Sequence, residues 1–532
     1  MTLMKISHRP YSTVPQLSQK DQDYISLAPY LTDYYTYRPT LENFAQAIAD
    51  RKSKPVDRVT LQKVIKDNYS KITATEKQQL HIEALLSEDT FTIITAHQPS
   101  LLGGPLYYVY KICSVINLVA QLQLKYPEYH FVPVFINGSE DHDFDEIDHF
   151  NIYGKTLRWE REASGPVGRL STEGLSVVID QAADILDDSE HSKRIIDVFK
   201  DSLKHSSNYN DFVFRYVNEL FGKYGLLVVN TDNKELKRNF APIMKQEITK
   251  RPSQQLVMDT QQMLEQHGFK AQAYPRDINL FYLGNGDRQR ITYEEGKYAI
   301  VDTEQSYTEA EILQMVDEHP EDFSPNVVMR PLYQEVTLPN LAYVGGGGEI
   351  AYWLERKEQF AHYDVHYPML IRRNSALLLD KGSSKNLTKL DLNVSDMFEH
   401  EDQIISSYLL SAVSEDITID EELEQMQAAY ESIAEKAAPH DPGLKKAILA
   451  EMTKQLKQVN NLGGRIKRTI KAREENNVSK IKKVKEKLFP GNGLQERSDN
   501  FIQYYSKLGP DFFDFLVTNL DPLTAEFAII EL

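Results

Sequence analysis

The chain has 532 residues, of which 41% are hydrophobic and 10% aromatic, enough apolar material for two or more packed domains. Its formal net charge of −18 argues against general nucleic-acid binding, because an acidic surface does not displace the counterions of phosphates. The first residues form no continuous apolar segment, and no run approaches the ~20 apolar residues that span a bilayer. We therefore expect a cytoplasmic protein that does not enter membranes.

Between residues 91 and 146 the sequence predicts a β-α-β unit with polar turns, after a mainly helical segment of about 90 residues. Its parts are a buried strand, a polar turn, a helix, a second strand and an acidic turn, predicted at residues 91–95, 96–105, 106–124, 130–137 and 138–146. In a parallel sheet the loops after the carboxyl ends of strands open on the same side. The two turns are therefore predicted to line one ligand cleft.

The single cysteine, Cys113, lies in the middle of the predicted helix. It excludes an internal disulfide and any multi-cysteine metal site, and it suits a reducing compartment. A nucleophilic thiol needs an electropositive, partly exposed setting. We therefore predict a packed core cysteine rather than a catalytic one.

Further along, periodicity predicts an inserted segment, a helix leading to another strand, and a small antiparallel meander. These lie at about residues 150–190, 191–224, 225–232 and 277–301. The segments 326–335 and 341–353 are both predicted to be strands that feed functional turns.

From residue 380 the chain changes to long polar helices, so we place a domain boundary between residues 1–379 and 380–532. Residues 381–385 are predicted to be a flexible linker that caps the next helix, in preference to a phosphate-binding loop. Apolar residues spaced for one helical face then predict an antiparallel coiled-coil arm, with the second helix starting at Pro442. The basic stretch 463–488 is interpreted as a solvated face of the coiled coil. The last helices are expected to pack back on the core. A homodimer is expected to form through the arm.

Five ordered motifs closely resemble those of the BshC family, the cysteine-adding enzymes of bacillithiol synthesis. The motifs are residues 95–107, 140–146, 325–334, 341–353 and 488–497. The resemblance implies an α/β protein with a Rossmann-like, nucleotidyltransferase-type core, inserted connecting segments and a C-terminal α-helical coiled-coil domain. It also implies a reaction that joins the carboxyl group of cysteine to the amine of glucosaminyl malate, so that these two small molecules are the expected partners.

Amide formation requires an activated carboxyl group and an unprotonated amine. ATP, with magnesium, is one candidate donor for the activation, which could pass through an acyl adenylate or an acyl phosphate. The amides of Gly103 and Gly104, at the start of a helix, are candidates to bind anionic oxygens, with His97 as an additional donor. A tight turn and helix start is the structural alternative for this Gly-Gly-Pro segment.

The acidic turn supplies the candidate catalytic residues Asp141, His142, Asp143 and Glu146. Clustered carboxylates raise one another's proton affinity, which suits a general base. The alternatives are a helix N-terminus decorated with acids, or a metal site; the spacing fits no EF-hand loop, and no tightly bound metal is expected.

Candidate substrate-binding residues come from the other motifs: Thr95, His97, Gln98, Gly103, Gly104, Arg330, Tyr333, Tyr343, Gly345, Gly346, Glu349 and Tyr352. Arg330 is interpreted as a bidentate clamp for a carboxylate or phosphate such as the malate moiety. Glu349 is interpreted as a partner for a sugar hydroxyl or an amine. Either residue could instead form a buried ion pair.

Two other functions stay open at this point. One is a different adenylate-forming or nucleotidyl-transferring enzyme on the same scaffold, suggested because Ala96 and His97 stand where the family usually has glycine and glutamine. The other is a non-catalytic scaffold that binds a partner through its coiled coil.

Overall fold

The computed structural model describes residues 4–412 and 419–532. Fifteen strands are described in this part of the chain: β1 (Lys5–Pro10), β2 (Thr90–His97), β3 (His130–Asn137), β4 (His149–Ile152), β5 (Lys155–Arg158), β6 (Leu227–Asn230), β7 (Leu280–Tyr282), β8 (Gln289–Glu294), β9 (Lys297–Ile300), β10 (Ser306–Tyr307), β11 (Phe323–Pro325), β12 (Asn340–Gly345), β13 (Met369–Arg372), β14 (Ala376–Leu379) and β15 (Glu526–Glu531).

The helices connect these strands and form most of the C-terminal part of the chain. Within the described ranges they are α1 (Gln19–Ile25), α2 (Phe44–Lys52), α3 (Arg58–Tyr69), α4 (Glu76–Ala84), α5 (Leu106–Lys125), α6 (Leu175–Ile185), α7 (Glu190–Lys204), α8 (Tyr209–Phe221), α9 (Lys234–Lys250), α10 (Pro252–Glu265), α11 (Glu309–Glu318), α12 (Arg330–Thr337), α13 (Gly347–Leu354), α14 (Lys357–His362), α15 (Lys381–Lys389), α16 (Glu401–Ala412), α17 (Asp420–Ala437), α18 (Pro442–Arg473), α19 (Glu475–Leu488), α20 (Ile502–Leu508) and α21 (Asp511–Asn519). In residues 4–412 and 419–532, no helix combines the length and the apolar character needed to cross a bilayer.

The chain divides into two compact units. The first contains Met1–Leu377 and Gln495–Ile530, and the second contains Leu378–Leu494 with the last two residues. The first unit holds the central sheet, whose five strands are all parallel in the order β13–β12–β2–β3–β6.

This strand order is that of a Rossmann-like sheet. The chain starts in the middle at β2, moves outward through β3 to β6, and then crosses back to β12 and β13 on the other side. The order therefore reverses between β2 and β12, and ligands of such sheets bind in the crevice outside the carboxyl ends of the strands at this point. Buried runs such as Phe91–Ile94 in β2 match a sheet covered on both faces.

The β-α-β unit predicted from sequence is confirmed, because β2, α5 and β3 follow in order and β2 pairs with β3 in parallel. The meander is also confirmed as the antiparallel strands β7, β8 and β9, which belong to an accessory sheet of order β10–β9–β8–β7–β11. The inserted segment after β3 contains the β4–β5 hairpin and α6.

Three predicted elements were wrong. Residues 191–224 are not one helix: α7 and α8 are separate, because the short polar residues at 206–208 interrupt the helix and Asn208 caps α8. Residues 326–335 are not a strand, since Asn326 accepts hydrogen bonds from the amides of Val328 and Met329 in a turn that leads into α12. Residues 381–385 are not a linker but the first turns of α15, which Asp380 caps.

The second unit contains the predicted coiled-coil hairpin. Helices α17 and α18 run antiparallel, since Glu435 pairs with Lys445 near the turn while Ile419 lies against Gly463 farther along. The start of α18 at Pro442 is confirmed, with the Asp441 carboxylate accepting from the Gly443 amide.

Candidate active site

A cavity of about 460 Å³ lies in the first unit at the carboxyl ends of β2, β3 and β12. It therefore occupies the crevice where the strand order reverses. Its lining includes Gln98 after β2, Asp141 after β3, Arg330 at the start of α12 and Glu349 in the first turn of α13. The two polar turns that flank α5 thus meet in one cavity with the two downstream motifs.

One wall of the cavity is acidic and is formed by Glu140, Asp141 and Glu146 of the turn after β3. The Asp141 carboxylate is held by three groups: the Gln98 side-chain amide at 2.7 Å, the backbone amide of His142 at 2.8 Å and the Arg288 guanidinium at 3.1 Å. Within this wall, Glu140 is buried and forms an ion pair with Lys237.

The environment separates the proton affinities of Asp141 and Glu146. Burial favours the neutral form of Asp141, but Arg288 and the hydrogen bonds from Gln98 and His142 outweigh it and hold the pKa below its ordinary value. Burial and the neighbouring charge of Asp143 raise the pKa of Glu146. Glu146 is therefore the better candidate for a general base, and Asp141 is held as an anion.

A second part of the lining, the basic wall, includes Lys111, Arg330, Arg373 and Arg497. Arg373 forms an ion pair with Glu496 at 2.8 Å and is only 2% exposed. The Arg330 guanidinium binds neutral groups, namely the Tyr352 hydroxyl and, at 3.5 Å, the Gln334 side-chain oxygen. Within residues 4–412 and 419–532 it forms no ion pair, so the predicted clamp for a carboxylate or phosphate stays available, and the ion-pair alternative is wrong for this residue.

Glu349, by contrast, forms the buried ion pair that was its alternative. It pairs with Lys111 and accepts hydrogen bonds from the Tyr343 hydroxyl at 2.6 Å and the Gly346 amide at 2.9 Å. Burial lowers the pKa of Lys111 to about 8 in spite of this pairing. Burial opposes ionisation of Glu349 too, but Lys111 and these hydrogen bonds lower its pKa to about 2, so both groups are charged at neutral pH.

His97 lines the cavity, but its ring nitrogens are used within the protein. Nδ1 donates to the Gln98 carbonyl at 2.9 Å, which leaves Nε2 to accept from the Tyr107 hydroxyl at 3.2 Å. Burial and the charge of Lys111 lower the pKa of His97 to about 4, so the ring is neutral at pH 7. This geometry does not support the predicted role as a hydrogen-bond donor to a ligand.

Gly103 and Gly104 lie outside the cavity lining, and the turn that contains them serves a structural role. The Gly103 amide donates to the Tyr216 hydroxyl at 3.1 Å, and the Asn500 side chain donates to the Gly104 carbonyl at 2.8 Å. Gly103 has φ +81°, a conformation that favours glycine. The predicted anion site at this helix start is therefore replaced by the alternative, a tight turn.

The other predicted residues divide into two groups. Tyr333, Gly346 and Tyr352 line the cavity together with those described above. Five others do not line it: Thr95, Tyr343 and Gly345 are buried at the ends of β2 and β12, and His142 and Asp143 are exposed.

Sequence reasoning did not select Lys111, Arg288, Arg373 or Arg497. Lys111 could have been found, because it is a charged residue in an apolar helix that the structure buries on nearly all sides. Arg497 stands inside the last of the five motifs. Arg288 gave no such signal, since it lies just before β8, 147 residues from Asp141, and contacts the acidic turn only in the folded structure.

The described residues contain no cluster of three or more His, Cys, Asp or Glu side chains suited to a metal ion. Cys113 is buried in α5, and burial raises the pKa of its thiol.

The fold is that of a Rossmann-like protein with a cavity at the carboxyl ends of its strands and a second, helical coiled-coil unit. Residues 4–374 match the family model for the N-terminal Rossmann-like domain of the bacillithiol biosynthesis protein BshC, and residues 376–532 match that for its C-terminal coiled-coil domain. The chain belongs to the BshC family.

Relatives similar to this chain extend over almost its full length. A Flavobacterium johnsoniae protein named "Putative cysteine ligase BshC" is 40% identical over 527 residues, covering 98% of both chains. A protein of the same name from Christiangramia forsetii is 38% identical and covers 96% of both chains. A Bacillus cereus protein of that name is 27% identical over 524 residues, covering 96% of this chain and 97% of its own.

Proposed function

We propose that this protein is a ligase that joins the carboxyl group of L-cysteine to the amine of glucosaminyl malate and so forms bacillithiol. Membership of the BshC family and the names of the relatives support a cysteine ligase of bacillithiol synthesis. The observation that carries the proposal furthest is the division of one cavity into an acidic wall and a basic wall. An amino sugar that carries malate has an amine and two carboxylates, and each wall is complementary to one kind of group.

In the proposed arrangement Arg330 binds a malate carboxylate, and the acidic wall receives the sugar amine. The amine must lose a proton before it attacks the cysteine carboxyl carbon, and Glu146, whose pKa is raised, accepts that proton. Asp141, held as an anion by Arg288, stabilises the positive charge that develops on the attacking nitrogen.

The carboxyl oxygen of cysteine must also depart when the amide bond forms. ATP with Mg²⁺ would supply a leaving group for this oxygen, which then departs bonded to phosphorus. The basic wall provides guanidinium groups suited to phosphate oxygens, which fits such a donor. Cysteine, glucosaminyl malate and ATP are thus the proposed small-molecule ligands.

Reconstitution tests the proposal directly. Purified protein is incubated with cysteine and glucosaminyl malate, with and without ATP and Mg²⁺, and bacillithiol is measured by mass spectrometry. Product that forms only with the nucleotide supports both the reaction and its energy source. Wild-type protein that forms no product in any arm, while a purified relative does so under the same conditions, contradicts the proposal.

A variant pair connects the assay to the cavity. Arg330→Lys keeps the charge but loses the planar fork of donors, so we expect KM for glucosaminyl malate to rise about tenfold, equivalent to ~1.4 kcal/mol. Arg290→Lys is the matched control, because Arg290 is an exposed arginine of β8 that does not line the cavity. Equal KM values for the two variants would remove Arg330 from the proposed site.

A further inference from the structure

The turn between β12 and α13 presents open backbone amides to the cavity. Gly346, Gly347 and Gly348 all line the cavity, and α13 begins at Gly347. The Gly346 amide donates to the Glu349 carboxylate, whereas in the described part of the chain the amides of Gly347 and Gly348 bind no acceptor. At the start of α5, by contrast, the first backbone amide of the helix already has an acceptor, since the Leu106 amide donates to the Asp499 carbonyl at 2.7 Å.

One guanidinium group lies beside this turn, and a second lines the same cavity. Arg373 binds Glu496 and the Asn374 carbonyl through its terminal nitrogens, but its buried Nε–H has no acceptor among residues 4–412 and 419–532. That nitrogen would lie 3.6 Å from a Cβ atom built on Gly346, so it adjoins the turn. Arg330, which lines the same cavity, forms no ion pair within residues 4–412 and 419–532.

The local charge favours an anion. Glu349 contributes a negative charge at the start of α13, but Lys111 neutralises it through the buried ion pair. The Asp21 carboxylate lies against Gly347, but Arg372 neutralises it through a buried ion pair at 2.7 Å. The dipole of α13 and the guanidinium groups of Arg330 and Arg373 then leave a positive potential, which the Glu496 carboxylate offsets only in part.

We propose that the amides of Gly347 and Gly348, together with Arg330 and Arg373, form a subsite that binds an oxyanion, either a carboxylate or a phosphate group of the substrates. The inference rests on the proposed function, whose ligands carry malate carboxylates and nucleotide phosphates. Backbone amides at a helix start and arginine side chains are the donors that both kinds of oxyanion prefer.

Gly348 allows a steric test. A Cβ atom built on it meets nothing within 4 Å, and its φ is not in the left-handed region. Gly348→Val therefore fits the backbone but places its methyl groups beside the open amides. Gly464→Val is the matched control, since Gly464 also has open space around its Cβ position but lies in α18 of the second unit.

Titration calorimetry measures the binding of L-malate and of inorganic pyrophosphate to wild-type protein, Gly348→Val, Arg330→Gln and Gly464→Val. We expect Kd to rise at least about tenfold for Gly348→Val and for Arg330→Gln, and to be unchanged for Gly464→Val. Thermal unfolding verifies that each variant is folded. If Gly348→Val and Arg330→Gln lose malate binding but keep pyrophosphate binding, the occupant of the subsite is a carboxylate. If they lose pyrophosphate binding but keep malate binding, the occupant is a phosphate.

The proposal is overturned if wild-type protein binds neither anion, or if Gly348→Val binds both as wild type does. These outcomes are separable from those of the ligase assay. Anion binding that depends on Gly348 without any bacillithiol product would leave the subsite standing and remove the reaction. Full ligase activity in Gly348→Val would leave the reaction standing and remove the subsite.

Discussion

The buried ion pair between Lys111 and Glu349 gives the sharpest test of how the cavity is held together. Lys111 is 1% exposed, and its ammonium group has two acceptors, the Glu349 carboxylate and the Ala96 carbonyl at 2.9 Å. Lys111→Met keeps most of the side-chain volume but removes the cation. Among the residues that the structure describes, Glu349 then retains the hydroxyl of Tyr343 and the amide of Gly346 as donors.

Removing one partner of a buried pair costs about 3–5 kcal/mol, and because two charge-assisted hydrogen bonds remain we expect about 3 kcal/mol for Lys111→Met. Glu349→Gln should cost less, about 2 kcal/mol, because Lys111 has a pKa of about 8 and can become neutral by losing its proton. In the double variant neither charge is left unpaired. Its destabilisation should therefore fall short of the sum of the single variants by about 1.5 kcal/mol or more.

Urea unfolding of the four proteins measures these free energies. The chain has two tryptophans, Trp159 and Trp353, and both belong to the first unit, so their fluorescence follows the unit that contains the cavity. If the destabilisation of the double variant equals the sum of the two single variants within about 0.5 kcal/mol, the two residues are not energetically coupled and the reasoning is refuted. A cost below about 1 kcal/mol for Lys111→Met would do so as well, since the Glu349 carboxylate is only 23% exposed and would then be stable without its cation.

Three further predictions concern single groups. The pKa of His97, about 4, lies below its unfolded value of ~6.5, so the stability that its neutral ring contributes is full above pH 6.5 and is lost as the pH falls to about 4. Urea unfolding at several pH values should therefore show that acidification lowers the free energy of unfolding by about 2 kcal/mol less in His97→Gln than in wild type. Glu146→Gln should lower kcat about 100-fold with little change in folding, whereas Asp145→Asn, at an exposed neighbour outside the cavity, should keep wild-type kcat in the bacillithiol assay. Cys113 is buried with a raised thiol pKa, so a disulfide reagent should label it at the rate of unfolding, and fast labelling of native protein would contradict its burial.

Local sequence patterns were sufficient for the elements around the first polar turns. Continuous apolar runs predicted β2 and β3 because a parallel sheet covered on both faces leaves no polar alternation, and the long apolar segment between them predicted α5. The pattern failed at residues 326–335, where an apolar run resembles a strand but Asn326 and Pro331 start a helix. Short apolar runs do not distinguish the two, since both bury the same surface.

The sequence also indicated that Gln98, Asp141, Glu146, Arg330 and Glu349 belong to one site, because each follows or starts an element at the same edge of a parallel sheet. The sequence did not indicate which of these side chains is free to bind a ligand and which is already paired within the protein. Arg330 and Glu349 had the same two alternatives, and only their neighbours distinguish them: Glu349 has Lys111 beside it, and Arg330 has hydroxyl and amide groups.

By itself, the sequence determined most of the strand and helix pattern, the family and the edge of the sheet where the ligands should bind. These depend on local periodicity and on motifs contiguous in the chain. The tertiary structure alone decided that Gly103 and Gly104 stabilise a turn, that Arg288 reaches Asp141 from the segment just before β8, and which of the two carboxyl groups, Asp141 or Glu146, has the raised pKa. The physical reason is that ionisation and hydrogen-bond availability depend on distances of about 3 Å between groups far apart in sequence, and local patterns carry no information about such distances.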